Sequence, residues 1–257
     1  MTAIPSLPLK SAPDLGTLIL TRIAQRERDS LKAAVLRSLH DTSLYGQLIF
    51  RGASALHGVY LHERYSEDLD FFAAPELAAD ACAAFCQAGL SLESRPDAVP
   101  VYAHRGAVHE RVELGVDVIA AHYPEESFLI PQEAVFRAVT GETAPVRTYS
   151  LPALLARKLR YVMRRRYAVD FYDLWIGLEK HPEGAGEMRE IVRRRESALT
   201  CGGCYRAEAA LMNLDSLETT WQAELDALMP RVPAFARVRR DLAHWLLSYE
   251  AGEELTR

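Results

Sequence analysis

Two nearby segments constrain the fold more than anything else in the chain: Ile49-Phe-Arg-Gly-Ala-Ser-Ala-Leu-His-Gly58 and Arg64-Tyr-Ser-Glu-Asp-Leu-Asp-Phe-Phe72. The first predicts a strand over 47–51, a tight turn at Gly52, and a helix over 54–61 opened by Ser54 as its N-cap. The second predicts a strand over 68–73. Side chains alternate along a strand, so Asp68 and Asp70 share one face while Leu69 and Phe71 share the other. Two adjacent carboxylates repel each other unless a cation lies between them, and an oxygen-only pair suits Mg²⁺. Upstream, the Gly52 turn feeds a helix N-terminus, whose free N–H groups attract phosphate. Gly52 permits close backbone approach, Ala53 follows it in the loop, and Ser54 offers a hydroxyl and an N–H. A phosphate cradle placed before a metal-binding Asp-x-Asp is what transfer of a nucleotide requires.

Around this pair the chain has two textures. A helix is expected from about 17 to 40, with Leu20, Ile23, Leu31, Val35 and Leu39 forming an interrupted apolar stripe. An alanine-rich helix is expected over 75–89. Strands over 100–104 and 111–120 read as a hairpin around Arg105-Gly106. On the second of these strands Glu113, Gly115 and Asp117 share a face. Asp117 is the better candidate for a third metal carboxylate, Glu113 the alternative, and both also read as ordinary outward-facing residues. Residues 122–150 read as loop with short elements.

After Ser150 the pattern becomes helical, with Ser150 as N-cap and Pro152 in the first turn. Lys158 falls on the apolar stripe of Leu151, Leu155 and Val162, where an unpaired lysine is rare. Nearby carboxylates or a triphosphate would explain it; a lysine snorkelling to water is the plain alternative. Arg165, two turns on, would reinforce that charge. Asp170 and Asp173 share a face at the start of the next helix, Asp170 being the stronger functional candidate or else simply an N-cap. The expected fold is α+β: a mixed sheet with helices over 1–149, then a helical bundle over 150–257 that completes a cleft.

Composition fits this picture. The 257 residues are 49% apolar and 25% charged, ordinary for a globular chain able to bury a large core. No run approaches the roughly 20 apolar residues needed to span a bilayer, and the N-terminus lacks the features of a signal peptide, so a cytoplasmic protein is expected. A net charge of −5 argues against a protein coated for duplex DNA. Residues 137–166 nevertheless hold eight Lys or Arg against Glu142 alone, enough to bind a triphosphate or an RNA backbone, or merely to form a solvated face. Cys82, Cys86, Cys201 and Cys204 read as ordinary thiols, with zinc binding or a redox dithiol as the alternatives.

The chain resembles the AbiEii/AbiGii-type toxins of the DNA polymerase β-like nucleotidyltransferase superfamily. Gly52, Ser54, Arg64, Ser66, Glu67, Asp68 and Asp70 fall on the family's first block, with Ala53 replacing its second glycine. The helix of form Leu-x-x-Lys-Leu leading to Asp-Phe-Tyr-Asp-Leu falls on 155–174. The resemblance implies Mg²⁺-dependent transfer of an NMP from an NTP, with Asp68 and Asp70 as metal ligands, Lys158 on phosphate and Asp170 catalytic. It further implies an RNA acceptor such as a tRNA 3′ end, and a separate antitoxin protein. A small-molecule nucleotidyltransferase and a non-catalytic module on the same fold are the rival readings.

Overall fold

The computed structural model describes residues 15–73, 90–94, 101–106, 113–120, 127–198 and 206–251. Seven strands form one mixed sheet: β1 (Ile49–Arg51), β2 (Asp68–Ala73), β3 (Leu90–Ser94), β4 (Val101–Gly106), β5 (Glu113–Ala120), β6 (Gln132–Arg137) and β7 (Thr143–Thr148). Their order is β3-β4-β5-β2-β1-β7-β6. β2 sits near the middle, antiparallel to β1 and parallel to β5. Alternation along it is as expected: Leu69 and Phe71 are buried, whereas Asp68 is exposed and Asp70 half-buried. Phe50 joins Phe71 and Phe136 on the buried side, with ring centroids 5.5 and 6.0 Å from its own.

β4 and β5 pair antiparallel, as expected of a hairpin, but Arg105 and Gly106 lie within β4, with Arg105 opposite Glu113, rather than at its turn. Within 122–150, expected as loop with short elements, the elements are β6 and β7, which form a second hairpin. Pro145 lies inside β7, opposite Val135, and it hides a strand whose Val146 and Thr148 are buried. The expected 75–89 helix, the four cysteines and residues 1–14 lie outside the described residues.

Helix α1 (Leu15–His40) buries the later part of its expected apolar stripe, Val35 and Leu39, with Leu31 packed half-buried against the core, but not Ile23. Ile23 is 49% exposed, while Gln25, Asp29, Lys32, Ala33, Leu36 and Leu39 are buried. Asp29 accepts a hydrogen bond from the Val139 N–H at 2.6 Å, tying the helix to the β6–β7 hairpin. Helix α2 (Gly52–Ala55) runs directly into a π-helical segment, Leu56–Leu61, which His62 ends in a left-handed conformation. Gly58 lets that segment press on Phe136, since a Cβ there would lie 2.2 Å from the ring.

The helical half comprises α3 (Leu151–Val162), α4 (Ala168–Lys180), α5 (Ala185–Ala198), α6 (Ala207–Asp215), α7 (Trp221–Leu225) and α8 (Phe235–Ala251). Ser150 stands at the start of α3 but makes no capping bond; its hydroxyl donates to Glu187 instead, at 3.2 Å. α3 and α4 approach closely at Gly177, where a Cβ would fall 2.5 Å from the Leu155 side chain. Buried apolar side chains form one continuous cluster from Ala33 to Leu246, spanning both halves. Tyr65, in the loop before β2, donates its N–H to the Leu228 carbonyl at 2.8 Å, so the helical half also grips the segment leading into the Asp-x-Asp strand.

Candidate active site

β1 ends with Arg51 opposite Asp70, and the chain then turns at Gly52 with φ +73°. That conformation alone favours glycine. A second demand is sharper: a Cβ at Gly52 would lie 1.9 Å from Asp70 Oδ2. The Asp70 carboxylate therefore rests directly on the turn. α2 begins at Gly52, with Arg51 in the N-cap position and no side-chain cap.

The expectation that Ser54 opens this helix is corrected. Ser54 lies inside α2, is 1% exposed, and donates its hydroxyl to the Asp68 carbonyl. It also shares a 2.5 Å hydrogen bond with Ser66 Oγ. It clamps the turn's helix to the start of β2.

In the ladder, Asp70 pairs with Asp117 and Asp68 with Gly115, so the register sets Asp117 beside Asp70 on the neighbouring strand. Glu113 lies four residues before Asp117, opposite Arg105 of β4. The register favours Asp117 over Glu113. Desolvation in the cleft pushes the Asp68 carboxyl above its ordinary pKa, and repulsion from Asp70 and Glu67 adds to it, against attraction from Lys32. Among the described side chains Asp68 and Asp70 form a pair rather than a cluster of three ligands. An all-oxygen pair that resists its own charge fits a hard divalent cation.

The opposite wall is organised around Asp173, which is fully buried. Arg64 grips it in bidentate fashion, Nε to Oδ1 and Nη2 to Oδ2, both at 2.7 Å. His57 Nε2 donates to Oδ1 at 2.8 Å, and Lys158 Nζ lies 2.7 Å from Oδ2. Burial would raise the Asp173 pKa, but Arg64, Lys158 and His57 hold it well below the ordinary value. Burial depresses His57 to about 4, so it is neutral near pH 7, with the proton on Nε2. The Asp-x-Asp segment, the π-helix, α3 and α4 thus meet at one carboxylate.

Lys158 is buried on the apolar face, as its spacing implies, and is paired with carboxylates: Nζ also donates to Asp170 Oδ1 at 2.7 Å. Burial opposes its charge, yet Asp173 and Asp170 keep its pKa above the usual lysine value. Asp170 is the third residue of α4 rather than its N-cap, a position held by Tyr167. Its Oδ2 is buried and makes no hydrogen bond. Asp173, Arg64 and His57 carry a role that sequence reasoning undervalued. Asp173 had the signal that singled out Lys158: a charge amid the apolar run Phe171, Leu174, Trp175 and Ile176.

Between the walls lies a cavity of about 380 Å³, lined by Gly52, Ala53, Asp68, Asp70, Lys158, Arg165 and Asp170 among others. Arg165 stands beyond the end of α3, not two turns along it, and its guanidinium covers the Tyr161 ring at 3.9 Å. Arg51 Nη2 donates to the Tyr161 hydroxyl at 3.0 Å. The basic 137–166 segment is not one patch. Arg157 is buried over the Phe72 ring at 4.3 Å, and Arg147 pairs with Glu133. Arg164, Arg165 and Arg166 are exposed, with no carboxylate partner among the described residues; Arg165 and Tyr167, 55% exposed, line the cavity, while Arg166 Nε donates to Asn213 at 3.2 Å.

Similar proteins give this geometry its context. Residues 34–246 match the family model "Nucleotidyl transferase AbiEii toxin, Type IV TA system". No curated protein matches the sequence. Among solved structures, the nucleotidyltransferase toxin MenT4 (Rv2826c) from Mycobacterium tuberculosis H37Rv superposes with a TM-score of 0.63 at 19% identity, over 91% of this chain and 90% of its own. A putative nucleotidyltransferase from Helicobacter pylori gives 0.57 at 19%, over 88% and 94%. JHP933 from Helicobacter pylori gives 0.51 at 16%, over 89% and 92%. With the family model covering most of the chain, including both walls of the cleft, this protein belongs to the AbiEii family of nucleotidyltransferase toxins.

Proposed function

We propose that the cleft transfers a nucleoside monophosphate from an NTP to the 3′ end of an RNA, a tRNA above all, with release of pyrophosphate. The observation that carries this reading is the contact between the Asp70 carboxylate and the Gly52 turn, where a metal ligand and a phosphate seat meet at one point. Asp68 and Asp70, with Asp117 beside them in register, would hold Mg²⁺. Bound there, the cation would neutralise charge at the α-phosphate and lower the pKa of the acceptor hydroxyl.

The chain's own groups supply the rest. The turn's backbone N–H groups at Gly52 and Ala53 receive the terminal phosphates, and Ser54 holds that turn against β2. Lys158 Nζ carries three hydrogens, of which Asp170 and Asp173 engage two; the third is left for phosphate. Arg51 and Arg165, flanking Tyr161, add positive charge to the same cavity. Asp170 Oδ2, buried on the cavity wall without a hydrogen-bond partner, serves as acceptor for the attacking hydroxyl. Exposed Arg165 and Tyr167 on the cavity, with exposed Arg164 and Arg166 next to them in the chain, suit a polyanion with stackable bases and would repel a small cationic substrate.

The chain acts in the cytoplasm; no helix among the described residues is long and apolar enough to cross a membrane. A separate antitoxin protein counters it, as the family implies. The test is to incubate the protein and Mg²⁺ with each α-labelled NTP and total RNA. Label at RNA 3′ ends is expected. Label that stays in nucleotide, or passes to a small acceptor, would overturn the RNA reading.

A further inference from the structure

Lys32 has no place in the roles above, yet it is among the largest fully buried side chains described. It sits in the middle of α1, on the inward face where the apolar pattern gives way to Gln25, Asp29 and Lys32. A buried ammonium normally sits against a carboxylate. None lies within ion-pair distance of this one among the described residues: Asp29, one turn away, directs Oδ2 to the Val139 N–H. Lys32 Nζ instead donates twice to one residue, to the Ser66 carbonyl at 2.5 Å and to Ser66 Oγ at 2.7 Å. Ser66 Oγ meets Ser54 Oγ at 2.5 Å, and Ser54 donates to the Asp68 carbonyl. A chain of polar contacts, buried up to Ser54 and part-buried at Asp68, therefore runs from α1 to the helix of the Gly52 turn and to the first residue of the Asp-x-Asp strand.

We propose that Lys32 is a positioning residue for nucleotidyl transfer: through Ser66 and Ser54 it fixes the distance between the Gly52 turn and the strand bearing Asp68 and Asp70. The inference rests on the reading of those two aspartates as the metal wall. Three observations favour it over a purely structural lysine. An apolar side chain of similar length would fill the same space without desolvating a charge. Both hydrogen bonds end on the residue two positions before Asp68 rather than on an acid that would neutralise the amine. The contact it stabilises is tight enough that one methyl group at Gly52 would strike Asp70. Burial lowers the Lys32 pKa to about 8, against attraction from Asp29, so the amine is mostly charged near neutral pH and its hydrogen bonds are charge-assisted. Errors of about 1 Å in the placing of reacting groups cost on the order of 10²-fold in rate.

The test uses the full chain and four variants: Lys32→Met, Ser66→Ala, their combination, and Asp70→Asn. Transfer rate at saturating NTP and Mg²⁺ is measured together with thermal stability. The expected result is a Lys32→Met protein that folds with an unchanged or higher Tm, loses at least tenfold in kcat, and changes little in KM for NTP. The double variant should be no slower than Lys32→Met, because both changes cut one linkage. A lowered Tm with unchanged kcat per folded molecule would make Lys32 structural only, and losses that multiply in the double variant would overturn the linkage. If Lys32→Met does not fold, Ser54→Ala combined with Ser66→Ala tests the same chain from its far end, and full activity there overturns the proposal. Asp70→Asn separates the two levels: if it stays active, the metal-wall reading itself fails; if it is inactive while Lys32→Met is fully active, only the positioning role does.

Discussion

The aspartates of β2 and the aspartate at the centre of α4 are the same carboxylate in opposite company. Asp173 is fully buried but has Arg64, His57 and Lys158 around it, and it is held well below its ordinary pKa. Asp68 is open to the cleft, faces Asp70 and Glu67, and is pushed up. Depth of burial alone would predict the reverse. The difference lies in whether the fold supplies the counter-charge. At Asp173 it does, with three donors from three elements, and the result is a joint between the two walls. At Asp68 desolvation and repulsion from Asp70 and Glu67 outweigh the attraction of Lys32 and Arg28, an imbalance that a bound cation is suited to relieve.

The largest effect that could break this contrast is Asp173→Asn. Removing the charge leaves Arg64 and Lys158 buried with one acid between them, a change that typically costs about 3–5 kcal/mol. Chemical denaturation should show that loss directly. If Asp173→Asn is as stable as wild type, the joint is not what holds the walls together.

A smaller effect sharpens the same contrast through pH. His57 has a folded pKa of about 4 against 6.5 for the free side chain. Between those values the unfolded chain binds the extra proton, so stability is full above about pH 6.5 and falls as pH drops toward 4. The expected loss is on the order of a few kcal/mol. His57→Gln keeps a neutral donor near Asp173 and should flatten that part of the stability–pH curve. An unaltered curve would place the acid sensitivity elsewhere.

What the sequence disclosed, and what it hid, divides along physical lines. The Gly52 turn, the Asp-x-Asp face and the misplaced charge of Lys158 were legible because each depends on local geometry: period two in a strand, period 3.6 in a helix, and a glycine where φ is positive. The β6–β7 hairpin was not, since Pro145 breaks the strand signal and only the partner strand supplies the hydrogen bonds. Ser54 was read as a cap from its place after the turn, but the helix starts two residues earlier and its hydroxyl goes to β2. On α1 the apolar stripe holds at Val35 and Leu39 but fails at Ile23, because apolar periodicity cannot register inward polar residues such as Asp29 and Lys32. Those residues are buried on account of distant partners at Val139 and Ser66, contacts that no spacing along the chain encodes.

The central claim is that the repulsion which pushes up the Asp68 carboxyl beside Asp70 is relieved by a divalent cation. Calorimetric unfolding of wild type and Asp68→Asn, each with and without millimolar Mg²⁺ and a non-hydrolysable NTP, tests it most directly. The account predicts that Asp68→Asn matches or exceeds the wild-type Tm without ligands, because one repelling charge is gone. It also predicts that only the wild type gains stability when Mg²⁺ and nucleotide are added together. A variant that is less stable alone, yet gains as much from Mg²⁺ and nucleotide as the wild type, would contradict it.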